Sequence, residues 1–303
     1  KMREGMAASG HAPEGLIGAT QRAVTIGSPM GVKFPALQAQ IRHVEDETGC
    51  KVPVDVEGAE DLCLLSSMEI MNFPEYIGAI ARVFNHAGVS WTLSSEAFEA
   101  TNSGIQIGVS DLAAELVGRV VAAAEKLRVK NVISPECGHA YMAIRWEGPN
   151  LIGRPFNFEV IHILELLDQL RKEGRLKLQG KETDRLTYHD PCQVSRRGGA
   201  TKAARNVLKH LGVDFREMEF GGDYNWCCGG GGGVVTIKRA DPLRRRVFKL
   251  KMDQVEKTEA DELLSSCANC RQSFDDSQEY FNWDYKMGSL MEMVAENIEE
   301  DGS

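Results

Sequence analysis

Apolar and polar positions along the chain alternate between two periods. From about residue 60, short apolar runs of buried-strand length are separated by longer stretches with the three-to-four-residue apolar spacing of amphipathic helices. Leu62-Cys63-Leu64-Leu65 is expected as a buried strand, 73–87 as a helix stopped at Gly88, and Val89-Ser90-Trp91-Thr92-Leu93 as a second strand. Ser110 is expected to cap a helix over 111–128, followed by a strand at Asn131-Val132-Ile133 and a helix over 158–174 ending at Gly174. The order then returns. Leu186-Thr187-Tyr188-His189 predicts a strand, 200–211 a helix stopped by Gly212, and 213–218 a strand. A glycine-rich loop, a long helix near 234–258, a strand at 261–265 and a cysteine-bearing turn into a further helix complete the pattern. Residues 1–50 read as helical and connecting material, broken at Gly27-Ser28-Pro29-Met30-Gly31 and resuming after Pro35. Strands alternating with helices predict parallel α/β units.

The two stretches match in register. His86-Ala87-Gly88-Val89 resembles His210-Leu211-Gly212-Val213, 124 residues on, and Asn102-Ser103-Gly104 lies 125 residues before Cys227-Cys228-Gly229. Gly108 precedes Gly233 by the same 125 residues, and Ser134-Pro135-Glu136-Cys137 precedes Cys267-Ala268-Asn269-Cys270 by 133. Where the second copy has Cys192, the first offers Ser66 or Ser67. The expectation is an α/β protein of two pseudo-duplicated, Rossmann-like parallel halves. Residues 1–58 form a helical or linker segment, 59–180 a degenerate first half, and 181–303 a second half with the complete cysteine set.

Composition narrows the function. The 303 residues are 43% hydrophobic and 26% charged, enough for a sizeable core. No apolar run approaches the ~18 residues of a membrane helix. A net charge of −9 gives no footprint for nucleic acid, and the dense basic run Arg244-Arg245-Arg246 reads as an exposed helix face. The chain starts at Lys1 without a signal peptide, and the expectation is that native sequence is missing upstream.

Of eight cysteines, Cys192, Cys227, Cys228, Cys267 and Cys270 cluster in the second half. Adjacent Cys227 and Cys228 are poorly placed for a disulfide with one another. Clustering of this kind in a helix-and-strand protein points to metal or redox chemistry in a reducing compartment, hence the cytoplasm. The spacing is Cys192, 34 residues, Cys227-Cys228, 38 residues beginning with Gly229, Cys267-x-x-Cys270. Each group follows a predicted strand, at the carboxyl end where open α/β sheets build sites. Five thiolates exceed a tetrahedral zinc site by one and suit an iron–sulfur cluster. A structural zinc module using four of them is the alternative. Gly229 to Gly233 let backbone N–H groups approach cluster sulfurs, and with no Gly-Lys-Ser/Thr they do not form a phosphate loop.

Asp190-Pro191-Cys192, Trp226-Cys227-Cys228-Gly229-Gly230 and Ser266-Cys267-Ala268-Asn269-Cys270 resemble the cysteine-rich "CCG" domain of the B-type and D-type polypeptides of heterodisulfide reductase and of relatives such as DsrK. The resemblance spans roughly 60–285. It implies Cys192, Cys227, Cys228, Cys267 and Cys270 as ligands of one noncubane 4Fe-4S cluster that reduces or forms a disulfide- or trisulfide-type bond. The degenerate first half, with Glu136-Cys137-Gly138-His139, is closer to the DsrK-like relatives than to the B-type polypeptide. A ferredoxin-like or cubane-cluster subunit and a membrane cytochrome or flavoprotein are the implied partners, and the substrate is a disulfide-bearing protein or a small thiol. Such a polypeptide belongs in the cytoplasm or on the cytoplasmic face of a membrane complex. The resemblance also extends to iron–sulfur subunits of glycolate- and lactate-oxidising systems, which leaves electron transfer to a quinone or flavoprotein dehydrogenase as the other redox reading.

Further residues carry two readings each. Cys137 is a buried thiol at a strand end or a sixth sulfur on the substrate side, and His139 a proton donor to a leaving thiolate or a structural histidine. His189 favours the structural reading. Arg196 and Arg197 follow Cys192, to stabilise cluster charge or simply to solvate a loop; Gly229 and Gly230 are expected around the cofactor. Cys50 and Cys63 read as core residues, and Trp226 as a shield for the cluster or ordinary packing.

Overall fold

The computed structural model describes residues 2–180 and 185–299. Its strands form two parallel sheets. In the first, β1 (Asp61–Cys63), β2 (Trp91–Thr92), β3 (Asn131–Ser134) and β4 (Glu159–His162) lie in the order β2-β1-β3-β4. In the second, β5 (Leu186–His189), β6 (Glu262–Ser265) and β7 (Lys286–Ser289) lie in the order β5-β6-β7. Phe215 makes a single parallel bridge to Leu186 on the other side of β5. The second sheet therefore repeats the first, with the counterpart of β2 reduced to one bridge. This is the expected pair of Rossmann-like halves.

The strands are short because burial is intense. β1, β5 and β6 are buried at every position, including the polar residues Asp61, Thr187, His189, Glu262 and Ser265. Leu62 and Leu64 face the helix Ser110–Leu127, while Cys63 and Leu65 join a cluster that includes Leu37, Phe84, Leu167, Val207, Leu264 and Val294. That cluster runs through both halves. Cys63 is fully buried and Cys50 packs against the same core, as expected.

Several expectations are corrected. Residues 158–174 are a strand followed at once by the helix Ile163–Lys172: His162, the last residue of β4, is also the helix N-cap, so no loop marks the change of period. β7 went unread for the same reason, since its last residue, Ser289, caps the helix Leu290–Glu296. The 213–218 strand shrinks to the Phe215 bridge. The helix expected from 234 begins at Asp241, with Pro242 in its first turn, because Gly232 and Gly233 adopt positive φ (69° and 83°) and break the preceding turns. Ser110 is the first residue of its helix, with Val109 at the N-cap, and its hydroxyl meets Glu4 instead. The boundary expected between 180 and 181 borders residues 181–184, and the last four residues of the chain likewise lie outside the described residues.

Polar contacts lock the halves where the apolar cluster crosses. Arg271 donates to both carboxylate oxygens of Glu292 at 2.7 and 3.1 Å and lies 4.0 Å from the ring centre of Phe73. Ser289 Oγ donates to the fully buried Glu136 at 2.8 Å, and the Ala268 N–H donates to the Glu136 carbonyl at 2.7 Å. Burial pushes the Glu136 carboxyl up to about 8. Arg271→Met leaves Glu292 without its partner in this seam and is expected to cost about 3–5 kcal/mol, read as a lowered urea midpoint. Arg271→Met/Glu292→Met is expected to recover most of that loss.

Candidate metal centre

All five expected ligands sit at carboxyl ends of strands of the second sheet or on the loop between them. Cys192 lies on the turn after β5, held by Val194 and Ser195 N–H groups donating to the Pro191 carbonyl. Cys267 is the N-cap residue of the helix Ala268–Phe281, and Cys270 lies in its first turn. Cys227 and Cys228 arrive on the long loop, where Ser273 Oγ donates to the Cys228 carbonyl at 3.1 Å.

Asp190 explains how that loop is aimed. Its carboxylate is buried and takes both ends of the Arg205 guanidinium at 2.7 and 2.8 Å, plus the Gly222 N–H at 2.7 Å. Asn225 Nδ2 donates to the Asp190 carbonyl. One residue close to Cys192 thereby fixes the segment leading into Cys227. Arg196 works on the same segment, donating to the carbonyls of Asp223 (3.0 Å) and Asn225 and to Asn225 Oδ1 (2.8 Å). It reaches the cysteine pair through the backbone.

The sulfurs form a chain of contacts: Cys192 to Cys227, Cys227 to Cys228, Cys228 to Cys270, and Cys270 to Cys267. All are free thiols, and Cys228, Cys267 and Cys270 are buried. Gly229 N–H donates to Cys227 Sγ at 3.3 Å and Gly230 N–H to Cys228 Sγ at 3.4 Å. Gly229 has a φ of 86°, and a Cβ at Gly230 would stand 2.8 Å from Ser273 Cβ, so neither position accepts a side chain without movement. Protons are shared unevenly. Hydrogen bonds from Cys192 and Cys228 drive the Cys227 thiol far below its usual range, with Gly229 N–H adding to them. The Cys270 thiol, helped by the backbone N–H groups of Cys270, Gly138 and Asn269, brings Cys267 down to about 7. Cys192, Cys228 and Cys270 are pushed up in turn, hydrogen bonding being the first cause of each shift.

Two residues at this centre go beyond what the sequence suggested. His189 is buried with both ring nitrogens lacking a hydrogen-bond partner, and a ring nitrogen and the sulfurs of Cys228 and Cys270 lie within 4.8 Å of one another. Lys251 is fully buried, with Nζ 2.7 Å from Gln254 Oε1 and 3.7 Å from Met218 Sδ. Burial lowers its ammonium to about 8, opposed by Asp190, Cys228, Cys270 and Cys227. A signal for Lys251 existed: it falls between Phe248 and Val255 on the apolar face of the helix Asp241–Glu256, where a lysine is out of place.

Other expected residues settle elsewhere. His139 reaches across from the first half, and its Nε2 accepts from the Gly232 N–H at 3.1 Å. Burial lowers it to about 4, so it is neutral at neutral pH. Cys137 caps the helix Gly138–Met142 as Cys267 caps its own, which makes Cys137 the counterpart of Cys267, 130 residues apart. The 133-residue spacing had matched it to Cys270. Trp226 is 43% exposed and packs edge-on to Phe220, the ordinary-packing reading of the two. Arg244 is buried between Asp241 and Asp276, so the basic run is not one solvated face.

The fold and site define an α/β protein built around a five-thiol centre, three of whose cysteines are buried. The profile of the cysteine-rich CCG domain matches residues 186–275, and the chain belongs to that family. It is 33% identical to the D-type polypeptide of the dihydromethanophenazine:CoB–CoM heterodisulfide reductase of Methanosarcina barkeri over 226 residues, covering 73% of this chain and 54% of that protein. It is also 27% identical to an Hdr-like menaquinol oxidoreductase iron–sulfur subunit of Archaeoglobus fulgidus (89% of this chain, 57% of that protein). With the EtfAB:quinone oxidoreductase of Syntrophomonas wolfei it shares 31% identity (63% and 27%). The chain spans about half the length of the first two relatives.

Lys251→Met removes the one buried cation facing these sulfurs among the described residues. At an effective dielectric of ~20 a unit charge acting on neighbouring thiolates is worth on the order of 2 kcal/mol. The expected outcome is a midpoint potential for the reconstituted centre lower by roughly 100 mV, measured by redox titration.

Proposed function

We propose that this chain is an iron–sulfur redox subunit that reduces, or in reverse forms, a disulfide- or trisulfide-type bond at a noncubane 4Fe-4S cluster held by Cys192, Cys227, Cys228, Cys267 and Cys270. The convergence of five sulfurs in contact is the observation that carries the reading. Soft thiolates suit iron, and a tetrahedral zinc ion would leave at least one of them idle. When bound, the cluster supplies one-electron steps and an iron that takes sulfur. The chain's own groups do the rest. Gly229 and Gly230 N–H groups and Lys251 offset negative charge, the Asp190–Arg205 pair and Arg196 keep the Cys227 loop in place, and the glycine loop leans on His139. A neutral His139 whose Nε2 already accepts has only its Nδ1 side to offer toward substrate. The halves 59–180 and 181–303 form one duplicated unit, with residues 1–58 packed on it.

Electrons for this reaction come from a cubane-cluster or ferredoxin-like subunit, itself served by a membrane cytochrome or a flavoprotein on the cytoplasmic side of a membrane. No helix among the described residues is long and apolar enough to cross a membrane. The relatives named as menaquinol and EtfAB:quinone oxidoreductases favour one second reading, electron transfer in a quinone-linked complex without disulfide chemistry.

Anaerobically purified protein is expected to hold about four irons and equal acid-labile sulfide per chain. Its oxidised form is expected to give an EPR signal that shifts when a disulfide is added. Cys227→Ser and Cys267→Ser are each expected to lose that signal. A signal indifferent to thiols and disulfides supports the quinone-linked reading, and zinc without sulfide defeats both.

A further inference from the structure

His189 is the last residue of β5, in register with Ser265 of β6, whose hydroxyl donates to the His189 carbonyl at 3.3 Å. Alternation along the strand sorts its side chains. Leu186 and Tyr188 enter the apolar cluster that crosses the halves. His189 turns to the other face, where Phe274 packs with Cys228, Cys267 and Cys270. Phe274 meets the imidazole edge-on, with ring centres 4.9 Å apart at 78°, and is itself packed against Phe248. Apolar packing therefore sets the ring plane and offers the ring nitrogens no hydrogen bond.

The ring is 1% exposed, and neither of its nitrogens has a partner. The other histidines near the seam are used differently. His162, equally buried, takes the Leu164 N–H on its Nδ1 at 3.2 Å, and His139 takes the Gly232 N–H on its Nε2. A nitrogen of His189 instead stands with the Cys228 and Cys270 sulfurs, all three within 4.8 Å of one another, and makes no hydrogen bond to either. Burial, with the Lys251 ammonium nearby, keeps the ring neutral, so it carries one N–H. A buried N–H without an acceptor bears its full desolvation cost, and sulfur is the acceptor that this face offers.

We propose that the His189 N–H donates a hydrogen bond to sulfur at the Cys228–Cys270 edge of the loaded centre and thereby raises its reduction potential. The proposal rests on the five-cysteine iron–sulfur reading above and is independent of disulfide chemistry. An added electron increases the negative charge on sulfur, so a donor aimed there stabilises the reduced form more than the oxidised one. The other donors leave this edge short. Gly229 and Gly230 serve Cys227 and Cys228, and three backbone N–H groups serve Cys267, whereas the thiols of Cys228 and Cys267 press on Cys270. His189 supplies the Cys270 side. It acts through the sulfurs, as a positioning residue.

The same ring is a liability when the centre is empty. An apolar side chain of similar size would pack against Phe274 without burying an unpaired donor. The position therefore holds a group that weakens the cluster-free chain and serves the loaded one, and a single substitution should move the two states in opposite directions. A histidine kept only for packing would not do that.

The test uses the full chain, loaded anaerobically for redox titration and cluster-free for urea unfolding. His189→Leu is expected to keep its iron and sulfide. Its reduction equilibrium is expected to shift about tenfold toward the oxidised form, a potential lower by ~59 mV for one electron. Its cluster-free form is expected to unfold at higher urea than wild type. His189→Asn and His189→Gln return an N–H near the two ring positions, and one of them is expected to recover at least half of the potential shift. In loaded wild type carrying nitrogen-15 histidine, pulsed EPR is expected to show weak nitrogen coupling that is lost in every His189 variant that loads. The wild-type measurement stands even where a variant fails to fold. An unchanged potential in His189→Leu, recovery in neither amide variant, a lower urea midpoint for cluster-free His189→Leu, or no nitrogen coupling overturns the proposal. Strong coupling of a directly bound nitrogen also overturns it, in favour of iron ligation. Each of those failures is read on a centre that holds iron and sulfide, or beside one, and leaves the cluster reading standing. Wild type without iron and sulfide overturns that reading and the hydrogen bond with it.

Discussion

Thiolates crowded together out of water repel one another and lose hydration, so a part-buried five-sulfur centre stands only where donors and positive charge are brought to it. Here they come from separate pieces of chain. The Gly229 and Gly230 N–H groups belong to the long loop, the Gly138 N–H that meets Cys267 to the first half, and the Lys251 ammonium to the helix Asp241–Glu256. The helix Ala268–Phe281 adds the positive end of its dipole, since Cys267 and Cys270 both sit in or beside its first turn. Parallel strands solve the assembly problem by ending on one edge, so loops far apart in sequence meet.

Asp190 shows how tightly that edge is specified. It is buried directly after β5, two residues before Cys192, and it gathers Arg205, Gly222 and, through its carbonyl, Asn225. A carboxylate so enclosed is tolerable only with the guanidinium in place. The loop that carries Cys227 and Cys228 therefore folds around an ion pair before any metal is considered. Arg205 is correspondingly raised, hydrogen bonds to Asp190 and Glu217 outweighing the burial that opposes them.

The parts of this architecture that were legible in the sequence share a cause. β1, β5 and β6 are buried at every position and carry short apolar or β-favouring stretches (Leu62-Cys63, Leu186-Thr187-Tyr188, Leu263-Leu264), and the five cysteines are chemically conspicuous in any context. β4 and β7 lacked both advantages. Each is partly exposed and runs straight into a helix whose cap is the strand's own last residue, so periodicity shows one element where there are two. Lys251 and Glu99 were illegible for another reason. Their burial is decided by distant elements, the first by β5 and the loop around Met218, the second by the contact of Ser67 with the strand-following loop at 99. The misaligned Cys137 reflects a single residue: the first half spends two residues, Pro135 and Glu136, between strand end and helix cap where the second spends only Ser266.

That extra residue also marks how differently the two halves handle charge. In the second half, donors lower Cys227 and Cys267, and the Lys251 ammonium lies within reach of the set. In the first, where Cys137 alone remains of that set, burial pushes carboxyls up: Glu99 to about 7, Glu136 to about 8, and Glu69 well above the usual range. Glu136 occupies the inserted position, accepts from Ser289 through its side chain, and takes the Ala268 N–H on its carbonyl, directly beside Cys267. A neutral carboxyl there adds no negative charge next to the anionic centre, whereas an ionised one would raise the cost of every thiolate across the seam. A first half without the full cysteine set thus brings raised carboxyls to the interface where the second half brings sulfur. The consequence is a molecule with a cluster of thiols on one side of its seam and raised carboxyls on the other.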